Sequence, residues 1–211
     1  NMKKFLKVIG KTLLYMFTTL IVFVLLAFAV GFIYVDNTTK NLPSITTEML
    51  KSDASSNIYA NDGQTLIYST AENKRKLVKL ADVPQKYKDL LLMTEDAEFY
   101  EHRGISPKGT LNAVLSKAKS IIGKNEQVRG GSSITQQLVK LTVFSTDEKD
   151  RTLSRKVKEA FLAEKLYDTY SRDEILEFYI NKLYLGEGSY GAQTIANTYF
   201  GKDLNQLSIS Q

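Results

Sequence analysis

The chain has no cysteine in its 211 residues, so disulfides, thiolate zinc sites and cysteine nucleophiles are excluded. It has one histidine, His102, which argues against a multi-histidine metal site and against a conventional Ser-His-Asp triad. A divalent ion would have to sit on oxygen ligands, which suits magnesium or manganese. No fixed-period repeat and no low-complexity tract is visible. The net charge of +5 comes mostly from Lys3, Lys4, Lys7 and Lys11. The remainder is nearly neutral and lacks the broad basic footprint of a nucleic-acid binder.

What is present begins with an apolar run from Thr12 to Val35 that no charge interrupts. It exceeds the roughly 20 residues a helix needs to cross a bilayer. Tyr15 and Tyr34 lie near its ends, four lysines precede it and Asp36 follows. That asymmetry places the N-terminus in the cytoplasm and the rest outside. Ala27-Phe28-Ala29 has the form of a signal-peptidase site, but the run continues past it, which favours a retained anchor. A buried core helix fits badly, because the run has no polar face.

The organisation read from this is a cytoplasmic tail over 1–11 and a membrane-spanning signal-anchor over 12–35. A stalk with a small β-rich linker follows over 36–82, then a mainly α-helical domain over 83–211. Asn57 to Thr70 reads as a hairpin around Asn61-Asp62-Gly63, and Lys76 to Leu80 as a third short strand. From Pro84 the pattern is helical, with Asp82 as a candidate cap. A helix opened by Ser106-Pro107 carries Leu111, Val114, Leu115, Ala118, Ile121 and Ile122 at three-four spacing. Ser132 or Ser133 caps a helix over Ile134 to Leu141. Further helices run from Thr152 to Tyr167, from the capping box Ser171-Arg172-Asp173-Glu174, and from Ala192 to Phe200, closed by Gly201. The chain stops at Gln211 in what reads as the start of another helix, so we read it as part of a longer protein.

Three stretches carry candidate chemistry. Met93 to Gly104 gathers Glu95, Asp96, Glu98 and Glu101 with Phe99, Tyr100 and His102. Burial beside rings would raise a carboxyl pKa toward what a general base needs. The alternative is a helix that ends in a solvated, charged turn. Gly130 to Lys140 puts glycines, hydroxyls and the pair Gln136-Gln137 at a helix start, where free N–H groups favour an anion or a sugar. The alternative is an ordinary loop and cap, although one helix face cannot bury both glutamines. Arg151 to Glu159 places Arg151, Arg155 and Lys158 at spacings that can share a face, with Glu159 one turn beyond Arg155. This is either a plain salt bridge or a second carboxylate among pyrophosphate-holding cations. Two apparent matches fail. Gly186 to Gly191 fits G-x-G-x-x-G but follows a helix, not a strand. Ser116 and Lys119 fit S-x-x-K but have no K-T-G partner.

The order E-D-x-x-F-Y-x-H-x-G, G-G-S-S-I-T-Q-Q, R-K-x-K-E and I-L-x-F-Y-I-N, from Glu95 to Asn181, resembles the peptidoglycan glycosyltransferases of family 51. These are the transglycosylase domains of class A penicillin-binding proteins and of monofunctional enzymes. The likeness runs from about Ile58 to Gln211. Ser133 stands where the family usually has threonine, and the end at Gln211 leaves out the family's last helices. The resemblance implies a lysozyme-like helical domain. It implies polymerisation of lipid II into β-1,4 glycan strands, with inversion and release of undecaprenyl pyrophosphate. Glu95 and Glu159 would be catalytic, Glu95 as general base. Ser132, Ser133 and Gln137 would line the donor side, and Lys140, Arg151, Arg155 and Lys158 would hold the diphosphate. Asp96 joins the substrate-binding set and, with His102, shapes the first motif. Glu159 would act on the phosphates directly or through Mg2+ or Mn2+, and no organic cofactor is implied. Implied partners are lipid II, the lipid-linked glycan, the membrane and other cell-wall synthesis proteins, with no nucleic acid. A lysozyme-like hydrolase and a non-catalytic membrane-anchored scaffold are the rivals.

Overall fold

The computed structural model describes residues 2–51, 57–59, 61, 66–69, 76–121, 131–144, 152–186 and 188–211. The chain divides into two units, Asn1–Leu42 and Pro43–Gln211.

The first unit is one helix, α1 (Met2–Thr39). It is longer than the apolar run at both ends, because no proline lies between Met2 and Thr39, and Thr12, Thr18, Thr19 and Thr39 return their hydroxyls to carbonyls of the preceding turn, as Thr19 does to Tyr15 at 2.8 Å. The polar stalk expected from Asp36 therefore starts as helix. Large side chains such as Phe17, Phe23, Phe28 and Phe32 are all exposed. By length and composition, α1 can cross a membrane.

The second unit begins inside the expected stalk. The short helix α2 (Thr47–Leu50) is capped by Thr46, and it buries Leu50 completely. Thr47 Oγ1 lies 3.0 Å from Tyr170 Oη. Residues 43–50 are thus part of the globular unit rather than a free linker. The hairpin is present: β1 (Asn57–Tyr59) pairs antiparallel with β2 (Leu66–Ser69), Ile58 opposite Tyr68. The Asp62-Gly63 turn lies outside the described residues.

Residues 76–80 do not form the third strand expected of them. They run along α7 (Arg172–Lys182) and α8 (Ala192–Phe200), and side chains take the place of a strand partner. Lys76 N–H donates to Thr194 Oγ1 at 2.6 Å. Asn181 pairs with both polar groups of Val78, accepting from its N–H at 2.9 Å and donating to its carbonyl at 2.8 Å. Leu80 N–H donates to Glu177 Oε2 at 2.7 Å, and a single 3-10 turn (Leu80–Asp82) leads into α3 (Gln85–Glu95). Pro84, not Asp82, occupies the cap position of α3.

The core is built by α5 (Ile134–Val143), α6 (Leu153–Thr169) and α7, with α8 at one side. Ile134, Leu138 and Val139 of α5 meet Leu162, Ala163 and Leu166 of α6 and Ile175, Leu176, Tyr179 and Ile180 of α7, all essentially inaccessible. Each such large side chain contributes about 1.5–3 kcal/mol on burial. The boundaries carry their own stop and start signals. Ser133, Thr152 and Ser171 are N-caps, the first and last closing full capping boxes. Gly201 ends α8 in the left-handed conformation that glycine adopts freely. One helix departs from expectation: α4 (Pro107–Ile121) follows its three-four pattern, yet Leu111, Val114 and Leu115 are 58%, 61% and 50% exposed. Periodicity made that helix, but the core does not cover that stripe. Gly123 lies outside the described residues.

Candidate active site

Glu95 is the last residue of α3, and the chain turns sharply at Asp96, whose N–H still donates to Leu92 O at 2.8 Å. Adjacent residues at a helix end point to different sides, and here the two acids part. Glu95 stays exposed, so of the two readings left open for this stretch its carboxyl follows the solvated one. Asp96 is the buried acid. Its Oδ1 and Oδ2 lie 2.9 and 3.0 Å from His102 Nε2, and Oδ2 also accepts from Ile134 N–H at 2.9 Å. These contacts require the proton of His102 on Nε2.

The start of α5 is therefore already answered from within. A helix N-terminus presents unpaired N–H groups to an anion, and the anion here is the protein's own Asp96. Ser133 completes the cap: its Oγ accepts from Gln136 N–H at 3.1 Å and donates to Gly104 O at 2.6 Å, and Gln136 Oε1 accepts from Ser133 N–H at 3.0 Å. The phosphate expected at this helix start does not fit there. Asp96, placed in the substrate-binding set but also expected to shape the first motif with His102, takes the shaping role, and Ser133, expected on the donor side, is buried in the cap of α5. The two glutamines divide as the spacing requires. Gln136 is buried in the capping box. Gln137 turns outward, donating from Nε2 to Glu95 Oε2 at 2.9 Å while Tyr179 Oη donates to its Oε1 at 3.0 Å.

Gln137 opens onto a groove of about 630 Å³ walled by Met93, Thr94, Glu95, Ser132, Gln136, Gln137, Lys140, Lys156 and Glu159. The structure brings Glu95 and Glu159, from α3 and α6, into this one groove. Glu159 is fully buried behind the groove wall it helps to form, and two cations hold it. Lys156 Nζ donates to its Oε2 at 2.6 Å and to Ser132 Oγ at 2.8 Å. Arg155 Nε stands 3.1 Å from Oε1, close enough for an ion pair although its N–H is not aimed along a hydrogen bond.

Lys156 is the site residue that the sequence reading passed over. The signal was its i,i+3 spacing from Glu159. At about 100° per residue, positions three and four before Glu159 fall within about 60° of it, whereas the neighbouring Lys158 is about 100° away. Lys158 accordingly is half-buried and does not line the groove. Arg155, 8% exposed, braces Glu159 from the interior rather than facing the groove. Arg151 lies outside the described residues. Of the expected cations, Lys140 lines the groove.

A second, smaller recess of about 170 Å³ shares Glu95 and Ser132 with the first. Its other walls include Glu98, Ser106, Lys108 and Asn112, with Lys108 Nζ donating to Glu98 Oε1 at 2.8 Å. Glu95 thus stands on the wall between two cavities, and the lysine pair Lys140 and Lys156 belongs to only one of them.

A resident divalent ion does not suit the donor set. Glu159 offers one carboxylate, both of whose oxygens already face cations. Among the described residues, no three acidic or histidine side chains converge as a metal cluster. Mg2+ and Ca2+ sites gather several oxygens.

The sequence model of the Transglycosylase family matches residues 62–211. The chain is 42% identical over 169 residues to penicillin-binding protein 1A of Streptococcus pneumoniae, covering 80% of this chain and 23% of that one. To penicillin-binding protein 1A of Haemophilus influenzae it is 45% identical over 154 residues, covering 73% and 17%. To penicillin-binding protein 1A/1B of Bacillus subtilis it is 39% identical over 199 residues, covering 93% and 21%. The chain therefore spans about a quarter or less of the length of these curated relatives.

Proposed function

The chain belongs to the transglycosylase family, and from that premise we propose that it is a peptidoglycan glycosyltransferase. It joins lipid-linked disaccharide units into a β-1,4 glycan at a bacterial membrane. The single observation that carries this reading is one groove lined by two glutamates and two lysines, with Lys156 paired to the deeper glutamate. A sugar transfer that expels a diphosphate needs both kinds of group. Glu95 is exposed, and among the described residues its one hydrogen bond comes from Gln137 to Oε2, which leaves Oε1 for the reaction. It takes the proton of the acceptor's 4-hydroxyl as that oxygen attacks C1 of the donor sugar. The C1–O bond to the lipid diphosphate breaks with inversion, and the leaving group carries the electron pair away. Lys140 and Lys156 stabilise the charge that develops on it. Glu159 holds Lys156 at 2.6 Å and so fixes where that positive charge stands.

The two cavities that meet at Glu95 suit two substrates. The larger, with the lysines, takes the donor whose diphosphate departs; the recess beside Lys108 and Asn112 takes the acceptor sugar. A hydrolase acting on finished glycan would expel no phosphate and has no need of the lysines. The exposed helix α1 anchors the chain in the membrane where both lipid-linked substrates reside, N-terminus inside by its lysines.

The test is polymerisation of lipid II by the purified protein in detergent, read as a glycan ladder on a gel. Glu95→Gln should abolish the ladder and leave the far-UV circular dichroism unchanged. Fragments released from sacculi, with no polymer from lipid II, would replace this reading with the hydrolase. A fully active Glu95→Gln protein would remove the base assignment.

A further inference from the structure

Tyr179 lies on α7, 1% exposed, far from any solvent role. Among the described residues its hydroxyl makes one hydrogen bond, to Gln137 Oε1 at 3.0 Å. The same amide donates from Nε2 to Glu95 Oε2 at 2.9 Å and reaches Ser132 O at 3.5 Å. An amide has an acceptor end and a donor end. An ionised carboxylate accepts only, so Gln137 supports Glu95 only when its nitrogen faces the groove. Nothing in the side chain of Gln137 itself selects that orientation. The acceptor-only carboxylate of Glu95 favours it, and the buried phenol secures it by donating its O–H to the acceptor end, Oε1, at 3.0 Å. Burial, and then the charge of Glu95, push the Tyr179 phenol above its ordinary pKa, so the O–H is present throughout the neutral range.

We propose that Tyr179 is a positioning residue for Glu95, acting through Gln137: its hydroxyl fixes the amide so that an N–H holds the carboxylate in place over the groove. Without the hydroxyl, the part-buried Gln137 Oε1 would face an apolar ring and lose its hydrogen-bond donor, which costs free energy. The amide then turns or withdraws, and Glu95 loses the contact that orients it. Misorientation of a reacting group lowers the rate of the chemical step more than it weakens substrate binding.

The inference rests on the glycosyltransferase reading for its kinetic test, so the test has a second arm that does not. In the first, lipid II polymerisation is measured for wild type, Tyr179→Phe, Gln137→Met and the double variant. Tyr179→Phe should lower kcat by about 3- to 10-fold, the scale of one hydrogen bond, with KM within about twofold. The double variant should be no slower than Gln137→Met alone, since both act through one contact. Losses that multiply in the double variant, or a wild-type kcat for Tyr179→Phe, would overturn the proposal, because a merely structural defect adds to the glutamine's loss. In the second arm, the side-chain amide of Gln137 is followed by NMR after 15N-glutamine labelling. Glu95→Ala should displace that signal in the wild-type background and displace it by less than half as much in Tyr179→Phe. Equal displacement in both backgrounds rejects the positioning role, whether or not the protein makes glycan. Absence of polymer from wild type, by contrast, rejects only the function.

Discussion

Lys156 Nζ stands 2.6 Å from Glu159 Oε2, and the two ends of this pair live in different surroundings. The carboxylate is fully buried, whereas the lysine side chain is 46% exposed at the groove. Arg155 takes the other oxygen from the interior side, at 3.1 Å and 8% exposed. Glu159 is therefore a fixed negative point that holds one cation for the fold and one for the groove.

That division predicts opposite profiles for two substitutions. Lys156→Met removes the groove cation and leaves Arg155 opposite the buried carboxylate. Glycan synthesis should fall by about 10²- to 10³-fold, as when a charge-stabilising donor is lost. Stability should change by no more than about 1–2 kcal/mol, since a half-exposed partner is partly replaced by water. Glu159→Ala removes the acid from both cations and should cost about 3–5 kcal/mol as well as activity. Urea unfolding alongside the lipid II assay separates them. Equal stability losses for both variants would show that the two cations are not divided in this way.

The Asp96 brace gives a second prediction. Its Oδ2 serves His102 Nε2 and Ile134 N–H together, and Oδ1 faces His102 as well. Asp96→Asn replaces one acceptor with an NH2 that must meet a donor. The expected loss is about 1.5–3 kcal/mol, the scale of hydrogen bonds to a charged group. Amide exchange at Ile134 should quicken in parallel. A loss under about 0.5 kcal/mol, within the range of ordinary surface changes, would mean that the pair is incidental.

The same residues show what a sequence can and cannot disclose. Caps were readable because they are local: Ser133 and Ser171 each close a bond to a residue three positions on, and so does Thr152, read only as a helix start. The two glutamates were readable because each sits in a dense motif, and the structure brings them to one groove. Which acid of the pair Glu95-Asp96 turns inward was not readable. It depends on Ile134 and His102 arriving at the same point, and Ile134 is 38 positions from Asp96. The exposure of Leu111 and Val114 was hidden for a similar reason, since periodicity makes a helix amphipathic without saying what covers it. Residues 76–80 looked like a strand because extended backbone and strand share a pattern. Here Thr194, Asn181 and Glu177, about a hundred positions onward, supply the hydrogen bonds a neighbouring strand would have supplied.

Gly104 links the first motif to the second. Its carbonyl accepts from Ser133 Oγ at 2.6 Å, and its φ of +77° lies in the left-handed region. A Cβ there would meet the Ala163 carbonyl oxygen at 2.5 Å, a backbone atom of α6 that cannot swing aside. Gly104→Ala therefore combines backbone strain with a clash and should destabilise by at least about 1–3 kcal/mol. The shift must also disturb the cap of α5, so activity should fall even at temperatures where the protein stays folded. A variant as stable as wild type would require α6 to move away at no cost.

Tyr87 and Tyr100 link the stability of the fold to alkaline pH. Burial pushes the Tyr87 phenol up to about 12, from about 10 in an unfolded chain. Burial, followed by the hydrogen bond to Asp173 at 2.9 Å, pushes Tyr100 to about 12 as well. A folded-state pKa above the unfolded one means that the native state holds the proton more tightly. The stabilisation is complete below about pH 10 and is lost as pH rises toward about 12, because the unfolded chain ionises first. The unfolding free energy should therefore fall over that window, by at most about 1.4 kcal/mol per pH unit for each tyrosine. Tyr100, about half exposed, should contribute the smaller part. Tyr87→Phe should flatten the decline between pH 10 and 12 while leaving stability at pH 8 nearly unchanged. Urea unfolding at pH 8, 10 and 11.5, with phenolate absorbance as the monitor of ionisation, measures both. If the variant declines as steeply as wild type, the alkaline sensitivity belongs to other groups and Tyr87 does not hold its proton more tightly in the native state.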